Sequence, residues 1–179
     1  MILIPARNEG PRIGPVVRAA LAAMPGVMVV VVANGCTDDT RDQAEAAGAT
    51  VISSAPGYGA ALLAGYRHAL QHWETGEHPR WLVQLDADGQ HPPEARAAMG
   101  QMLRSTRLVS GSRLVHGGGA QGWPWSRRLA VGALGWWTRR VSGAPVRDIA
   151  SGFQAMQPSV VQTLVEDFPV DMVDANVLV

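Results

Sequence analysis

Residues 81–92 read WLVQLDADGQHP, and this stretch decides how the chain is interpreted. Its apolar first half ends abruptly at two carboxylates, Asp86 and Asp88, which flank the small Ala87. Side chains alternate along a strand, so two acids at positions i and i+2 point to the same side. Like charges held this close repel each other unless a positive charge lies between them. The pattern therefore predicts a buried strand whose carboxyl end carries a pair of acids facing a cation.

The chemistry of this pair suits Mg²⁺ or Mn²⁺, which take one or two carboxylates together with substrate phosphate oxygens and water. Gln90 and His91 supply further donor atoms before a helix that begins near Pro93. An Asp-x-Asp at the end of a strand is also a common turn, because Asp favours turns. The apolar strand and the additional donors favour the cation. We therefore predict an enzyme that holds Mg²⁺ or Mn²⁺ against a pyrophosphate.

The composition limits the function further. A chain of 179 residues with 47% apolar residues is enough for one domain with a real core. Its 15 basic residues balance its 15 acidic ones, so nothing in the net charge predicts a nucleic-acid partner. Every basic residue is Arg, which excludes lysine chemistry and favours forked clamps on phosphate. The single cysteine excludes an internal disulfide and a Cys-based zinc site.

Strand and helix patterns alternate along the chain. The predicted strands are 2–4, 27–32, 50–53, 81–85 and 107–110, and the predicted helices are 11–24, 38–47, 60–73, 93–104, 126–141 and 159–165. This order predicts an α/β fold with a mostly parallel sheet flanked by helices. Ligands of such sheets bind beyond the carboxyl ends of the strands. The polar segments 5–9, 34–39 and 86–90 follow three of the strands and should gather at that edge.

Six motifs in order then resemble the family 2 glycosyltransferases with the GT-A fold. They are IPARNE at 4–9, VANGCTDDT at 32–40, GYGAALLAG at 57–65, DADGQHP at 86–92, GSR at 111–113 and DIASGF at 148–153. The dolichyl- or polyprenyl-phosphate sugar transferases are the subgroup they resemble most. The resemblance implies that residues 1–179 form a single GT-A catalytic domain. The Arg/Ser segment that often closes the subgroup is absent here, so we expect that a C-terminal portion is missing.

The resemblance implies a metal-dependent, inverting transfer of a sugar from a nucleotide-sugar donor. The residues expected to bind the nucleotide are Pro5, Ala6, Arg7, Glu9, Asn34, Gly35, Gly59 and Asp86. Asp88 and Gln90 would ligate Mg²⁺ or Mn²⁺, with Asp86 shared between metal and nucleotide. Arg113 would meet the diphosphate or the acceptor phosphate. Asn34 stands where the subgroup usually has an acid that reads the base, so the choice of nucleotide stays open.

The resemblance also implies an acceptor side that contains Arg127, Asp148 and Ser151. A lipid phosphate, the acceptor of the subgroup, is already an anion and needs positioning rather than a general base. A hydroxyl acceptor would need a carboxylate base, for which Asp148 is the best candidate, ahead of Asp167 and Asp171. Gly132 stands where a second acceptor Arg would be expected, so both acceptor types stay open.

Two other functions remain possible for this sequence. Residues 85–89, LDADG, also resemble the nucleophile motif of haloacid-dehalogenase-type phosphatases, in which the first Asp attacks phosphate. Gln90 replaces the Thr of that motif, and the Lys it needs does not exist in this chain. The other alternative is a degenerate domain that binds nucleotide without turnover.

Residues 123–141 combine four Trp with four Arg, a composition that suits a membrane interface. The alternative is a helix that packs its Trp side chains on the domain. No signal peptide precedes the first strand, and the apolar run 129–137 is far too short to span a bilayer. We therefore expect a cytoplasmic protein, with peripheral contact at the inner face of the membrane if the first alternative holds.

Overall fold

The computed structural model describes residues 1–74, 81–89, 93–113, 123–143, 148 and 151–168. Its strands are β1 (Ile2–Ala6), β2 (Val29–Asn34), β3 (Thr50–Ser54), β4 (Leu82–Gln84), β5 (Leu108–Ser110) and β6 (Gln154–Met156). Its helices are α1 (Gly10–Ala23), α2 (Thr40–Ala46), α3 (Tyr58–Glu74), α4 (Pro93–Met102), α5 (Trp125–Ser142) and α6 (Pro158–Asp167). All eleven predicted elements are present, with ends that differ by a few residues.

The six strands form one sheet in the order β3-β2-β1-β4-β6-β5. β1 pairs in parallel with β2 and β4, and β2 pairs in parallel with β3. β6 runs antiparallel to both β4 and β5. The predicted α/β fold with a mostly parallel sheet is confirmed, but the prediction missed β6. Its three residues contain no β-branched side chain, so their sequence carries no strand signal of its own.

The second strand begins two residues later than predicted and extends to Asn34. Its register with β1 pairs Ile2 with Val29 and Ala6 with Ala33. Because β1 sets the register, Val27 and Met28 precede the paired region although they belong to the same apolar run. The shift places Asn34 at the carboxyl end of the strand, where a polar side chain can face the site.

Both faces of the central strands are covered by helices. Ile2 and Ile4 pack in one buried cluster with residues of α1, whereas Leu3 packs in a second cluster with residues of α3. All five residues of β1 are buried, as expected for a parallel strand in the middle of a three-layer fold. Gly65 allows α3 to approach the sheet, since a Cβ there would lie 2.4 Å from Leu3 Cδ1.

This topology gathers the predicted motifs. The carboxyl ends of β1, β2 and β4 lie at one edge of the sheet, because these strands are parallel. β6 runs in the opposite direction, so the residues that precede it arrive at the same edge. Segments that are far apart in sequence, around Glu9, Asn34, Asp86 and Ser151, therefore face one region.

Candidate active site

The loops that follow β1 and β2 are tied to each other by hydrogen bonds. The backbone N–H of Thr37 donates to Asn8 Oδ1 at 2.9 Å, and the N–H of Glu9 donates to Thr40 Oγ1 at 2.8 Å. Asn8 has a φ of 55°, in the left-handed region that Asn tolerates better than most side chains. The two loops therefore form one connected rim on this side of the sheet.

Asp38 anchors the rim from the α2 side. Its carboxylate accepts hydrogen bonds from the backbone N–H of Gly10 at 3.0 Å and of Thr40 at 3.1 Å, and from the Thr40 hydroxyl. The pKa of Asp38 is lowered mainly by the hydrogen bond from the Thr40 hydroxyl. The hydrogen bonds from the backbone N–H groups lower it further. A Cβ at position 10 would lie 2.0 Å from Asp39 Oδ1, so a larger residue there would require the exposed Asp39 side chain to move.

The residues predicted to hold the nucleoside occupy different environments on this rim. Pro5 and Ala6 are buried in β1, whereas Arg7 is exposed. The Glu9 carboxylate accepts a hydrogen bond from Arg12 Nη1 at 3.1 Å, one turn along α1. The structure therefore places all four predicted residues at the end of β1, with the Glu9 side chain oriented by Arg12.

Asn34 connects the end of β2 to the loop before α3. It is 5% exposed, and its Oδ1 accepts a hydrogen bond from the backbone N–H of Gly57 at 2.9 Å. Gly35 has a φ of 57°, and a Cβ there would lie 3.0 Å from Pro56 Cγ. Gly59 is buried in the first turn of α3. Asn34 stands where an acid was expected, and its amide oxygen holds the loop before α3. Its amide nitrogen carries two N–H donors.

Asp86 and Asp88 follow β4 on a turn. Leu85 is fully buried and Ala87 is 6% exposed, whereas Asp86 is half-buried and Asp88 is exposed. Gly89 has a φ of 75° and continues the turn. β4 ends at Gln84, so the two acids lie just beyond the strand rather than within it, while buried and more exposed residues still alternate from Leu85 to Asp88. Gln90, the third predicted ligand, lies outside the described residues.

The segment before β6 packs directly against Asp86. A Cβ on Gly152 would lie 2.2 Å from Asp86 Oδ1 and 2.8 Å from Oδ2. Ser151 is buried, and its Oγ accepts a hydrogen bond from the backbone N–H of Phe153 at 3.3 Å. Gly111 donates its backbone N–H to the carbonyl of Phe153 at 2.8 Å. The GSR and SGF motifs thus meet beside the first carboxylate.

Arg113 and Asp148 form a forked ion pair at this meeting point. Nε of Arg113 lies 2.8 Å from Oδ2 of Asp148, and Nη2 lies 3.0 Å from Oδ1. The backbone N–H of Arg113 also donates to Oδ2, at 3.0 Å. Asp148 is 2% exposed, and the Arg113 guanidinium carbon lies 4.6 Å from the centroid of the Trp123 ring.

Arg113 belongs electrostatically to the same site as the two acids. Its pKa is raised first by the hydrogen bonds to Asp148, and then by the negative charges of Asp148, Asp86 and Asp88. Arg113 and Asp148 are therefore in direct contact, and Asp86 and Asp88 are near enough for their charges to act on Arg113. Arg127 lies on α5, but its side chain is outside the part of the chain that the structure describes.

A buried polar network joins the end of β4 to α3. Gln84, the last residue of β4, accepts a hydrogen bond from the Tyr66 hydroxyl at 2.6 Å and donates to the Tyr58 hydroxyl at 3.2 Å. Burial of the Tyr66 hydroxyl raises its pKa, and the electrostatic effect of the nearby Tyr58 raises it further. This network was not predicted from the sequence, although a Gln in an otherwise apolar strand was a usable signal. The contacts of Gly152 and Trp123 were not predicted either, because the local sequence gives no signal for them.

The donor set of the turn fits a divalent cation that is only partly enclosed by protein. Within the described ranges, no group of three or more His, Cys, Asp or Glu residues could surround a metal ion. Two carboxylates on one turn nevertheless match the way Mg²⁺ is bound in phosphate-handling sites, where phosphate oxygens and water supply the other ligands. Asp86 and Asp88 are therefore suited to a cation that arrives with a phosphate-bearing substrate.

α5 carries several large apolar side chains that are exposed. Trp125, Trp136 and Trp137 are between 57% and 76% exposed, and Leu129 and Val141 are exposed with them. Packing of these three Trp rings on the domain, the alternative left open by the sequence, is therefore not observed. None of the helices in the described part of the chain has the length and apolar character that a membrane crossing requires.

Comparison with known proteins decides the family. The sequence model of glycosyl transferase family 2 matches residues 1–160. The chain belongs to glycosyl transferase family 2. This confirms the resemblance that the six motifs indicated.

Several curated members of the family are similar over most of the chain. A polyprenol monophosphomannose synthase of Mycolicibacterium smegmatis is 30% identical over 173 residues, covering 92% of this chain and 63% of the relative. An undecaprenyl-phosphate mannosyltransferase of Micrococcus luteus is 31% identical over 171 residues, covering 92% of this chain and 68% of the relative. The chain thus spans about two thirds of the length of these family 2 relatives.

Solved structures establish the fold of this family 2 chain. Glucosyl-3-phosphoglycerate synthase from Mycobacterium tuberculosis, in complex with phosphoglyceric acid, matches with a TM-score of 0.65 at 24% identity. The match covers 89% of this chain and 56% of that one. The same enzyme in complex with Mn²⁺, uridine diphosphate and glucosyl-3-phosphoglycerate matches with a TM-score of 0.63 at 24% identity, with the same two coverages. The predicted GT-A fold is therefore confirmed.

Proposed function

We propose that this chain is the catalytic domain of a metal-dependent, inverting glycosyltransferase that moves a sugar from a nucleotide-sugar donor to a polyprenyl phosphate. The observation that carries the proposal is that the segment holding the Arg113–Asp148 ion pair packs against Asp86 at the carboxyl edge of a GT-A sheet. A departing diphosphate is stabilised by a cation, which carboxylates can hold. It is also stabilised by a guanidinium, which can donate hydrogen bonds to its oxygens.

The chemistry follows from where charge develops. Cleavage of a nucleotide sugar places negative charge on the leaving diphosphate. When Mg²⁺ or Mn²⁺ is bound, it neutralises part of that charge. Asp86 and Asp88 would hold the cation, and Arg113 would donate charge-assisted hydrogen bonds to the phosphate oxygens. Glu9 follows β1 and Asn34 ends β2, at the edge of the sheet where the nucleoside would bind.

A phosphate acceptor is supported by the names of the relatives and by the contacts of Asp148. Two similar proteins are named for transfer involving polyprenol or undecaprenyl phosphate. A phosphate monoester is an anion at neutral pH, so its oxygen can attack without a general base. The carboxylate best placed to serve as a base, Asp148, already accepts three hydrogen bonds from Arg113.

Peripheral contact with a membrane is part of this proposal. A polyprenyl phosphate lies in a bilayer, so the enzyme must reach the bilayer surface. The sequence of α5 contains four Arg and no acid, and its exposed face carries three Trp side chains. Trp and Arg are the residues that favour the interfacial region of a membrane.

An assay of sugar transfer tests the proposal. Purified full-length protein would be incubated with Mn²⁺ or Mg²⁺, a panel of nucleoside diphosphate sugars, and either a polyprenyl phosphate or the corresponding alcohol. We expect metal-dependent transfer to the phosphate and none to the alcohol. Nucleotide binding without transfer to any acceptor would favour the degenerate domain. A trapped phosphoaspartate at Asp86, with release of phosphate from a generic ester, would favour the phosphatase.

A further inference from the structure

The ion pair between Arg113 and Asp148 uses two of the five N–H groups of the guanidinium. Nε and Nη2 of Arg113 both donate to the Asp148 carboxylate, which leaves both N–H groups on Nη1 and one on Nη2 outside this pair. The backbone N–H of Arg113 donates to the same carboxylate. A forked pair of this kind fixes both the position and the plane of the guanidinium.

The aromatic ring of Trp123 restricts the remaining freedom. The guanidinium carbon lies 4.6 Å from the ring centroid, within the range of a cation–π contact. Trp123 comes two residues before α5, so the segment that leads into this helix contacts the guanidinium. Arg113 is thus held by a carboxylate from the segment before β6 and by a ring from the segment before α5.

Neighbouring contacts connect the held guanidinium to Asp86, which follows β4. Asp86 contacts Gly152, whose neighbour Ser151 donates its backbone N–H to the carbonyl of Asp148 at 3.4 Å. Asp86, Asp148 and Arg113 therefore form one continuous cluster. An anion bound beside Asp86 through a cation would meet the guanidinium on this side.

We infer that Asp148 is a positioning residue that acts through Arg113, and that together with Trp123 it orients the guanidinium toward the phosphate bound at Asp86 and Asp88. The inference rests on the proposed function, since it takes the bound anion to be the donor diphosphate. It replaces the expectation that Asp148 accepts a proton from the acceptor.

Two observations distinguish positioning from proton transfer. A general base must lie within hydrogen-bond reach of the proton it removes. Both oxygens of Asp148 instead accept hydrogen bonds from Arg113, and the carboxylate is 2% exposed. A buried carboxylate fully engaged with an arginine orients that arginine, as a supporting carboxylate orients a ligand in many sites.

A double-mutant cycle on anion binding tests the inference without any turnover. Calorimetry would measure the binding of inorganic pyrophosphate in the presence of Mn²⁺ to wild-type protein, Asp148→Asn, Arg113→Gln and the double variant. We expect each single substitution to weaken binding by about 10-fold to 100-fold, the scale of a lost charge-assisted hydrogen bond. We expect the double variant to bind no more weakly than Arg113→Gln alone, because Asp148 has no other route to the anion.

The controls separate positioning from a general loss of structure. Glu166→Gln makes the same carboxylate-to-amide change at an exposed residue of α6 and should leave the affinity unchanged. Trp123→Leu should weaken binding several-fold, whereas Trp123→Phe should retain most of it, because Phe keeps an aromatic face for the cation. The Trp123 variants do not leave a buried charge unpaired, so they test the same arrangement if Asp148→Asn fails to fold.

Three results would overturn the inference. Wild-type protein that does not bind pyrophosphate with Mn²⁺ would remove its premise. If the losses in binding free energy of the two single variants added up in the double variant, Asp148 would act independently of Arg113. A pH–rate profile that loses its acidic limb in Asp148→Asn would identify Asp148 as a base. The protein could also show no sugar transfer while the effects of the two substitutions on pyrophosphate binding remained non-additive. That result would contradict the proposed function but not the positioning role of Asp148.

Discussion

At the scale of single residues, the contact between Gly152 and Asp86 determines where the first carboxylate lies. The Gly152 Cα is so close to Asp86 that any Cβ would overlap the carboxylate oxygens. A side chain at position 152 would therefore require the Asp86 carboxylate to move.

We predict that Gly152→Ala displaces the Asp86 carboxylate and lowers Mn²⁺-dependent nucleotide affinity by about tenfold or more, since shifts near 1 Å are costly in such sites. Gly132→Ala is the matched control, because a Cβ at this position of α5 meets nothing within 4 Å. The control should keep its affinity and gain about 0.5–1 kcal/mol of stability from better helix propensity. Equal affinities of the two variants would contradict the account.

The sequence could identify the site's acids but not their partners. Asp86 and Asp88 end an apolar run, and the GSR and SGF motifs follow in a recognisable order. The pairing of Arg113 with Asp148 joins residues 35 positions apart, so no local pattern predicts it. Both residues were assigned to the site from the resemblance, whereas their forked contact comes only from tertiary structure.

At the scale of elements, β4 is held in place by polar contacts as well as by its neighbours in the sheet. Gln84 is 3% exposed and bridges the hydroxyls of Tyr58 and Tyr66 in α3. The bridge joins β4, which leads into the turn that carries Asp86 and Asp88, to α3, which follows the contact between Asn34 and Gly57. The two loops of the site are thereby fixed relative to each other.

We predict that Gln84→Leu lowers the free energy of unfolding by about 1–3 kcal/mol, because it removes the buried partner of the Tyr66 hydroxyl. Urea denaturation followed by circular dichroism would measure the change. Gln101→Leu, at an exposed position of α4, is the control and should change stability by no more than about 0.5 kcal/mol. A Gln84 variant as stable as this control would show that the network contributes nothing.

Elements with a strong periodic pattern were predictable, and elements defined by their partners were not. The valine run before Asn34 identifies β2 on its own, although the register with β1 sets its ends. β6 is a strand because β4 and β5 pair with it from both sides. Its sequence, Gln154–Met156, would suit a helix equally well, so only the assembled sheet could reveal it.

At the scale of the whole molecule, the exposed face of α5 begins close to the active site. Trp123 contacts Arg113, and α5 starts two residues later with the exposed Trp125. An enzyme whose acceptor lies in a bilayer would benefit from such a connection. Trp123, which leads into the helix that would contact lipid, would then also contact the guanidinium that meets the phosphate.

We predict that the protein floats with vesicles that contain anionic lipid and not with purely zwitterionic vesicles. Replacing Trp136 and Trp137 by Ala should reduce the bound fraction several-fold, because both rings would lose their place in the interface. The control replaces Arg104 and Arg107, which are exposed outside α5, by Gln and should leave flotation nearly unchanged. Wild-type protein that stays with the soluble fraction would contradict membrane contact.

The central claim is that Asp86 and Asp88 hold a divalent cation against a diphosphate. Calorimetric titration of a nucleoside diphosphate, with and without Mn²⁺, tests it most directly in wild-type protein, Asp88→Asn and the exposed α2 control Asp42→Asn. We predict that Mn²⁺ strengthens binding at least about tenfold in wild-type protein and in the control, and that Asp88→Asn loses this gain. A gain that is undiminished in Asp88→Asn would contradict the account.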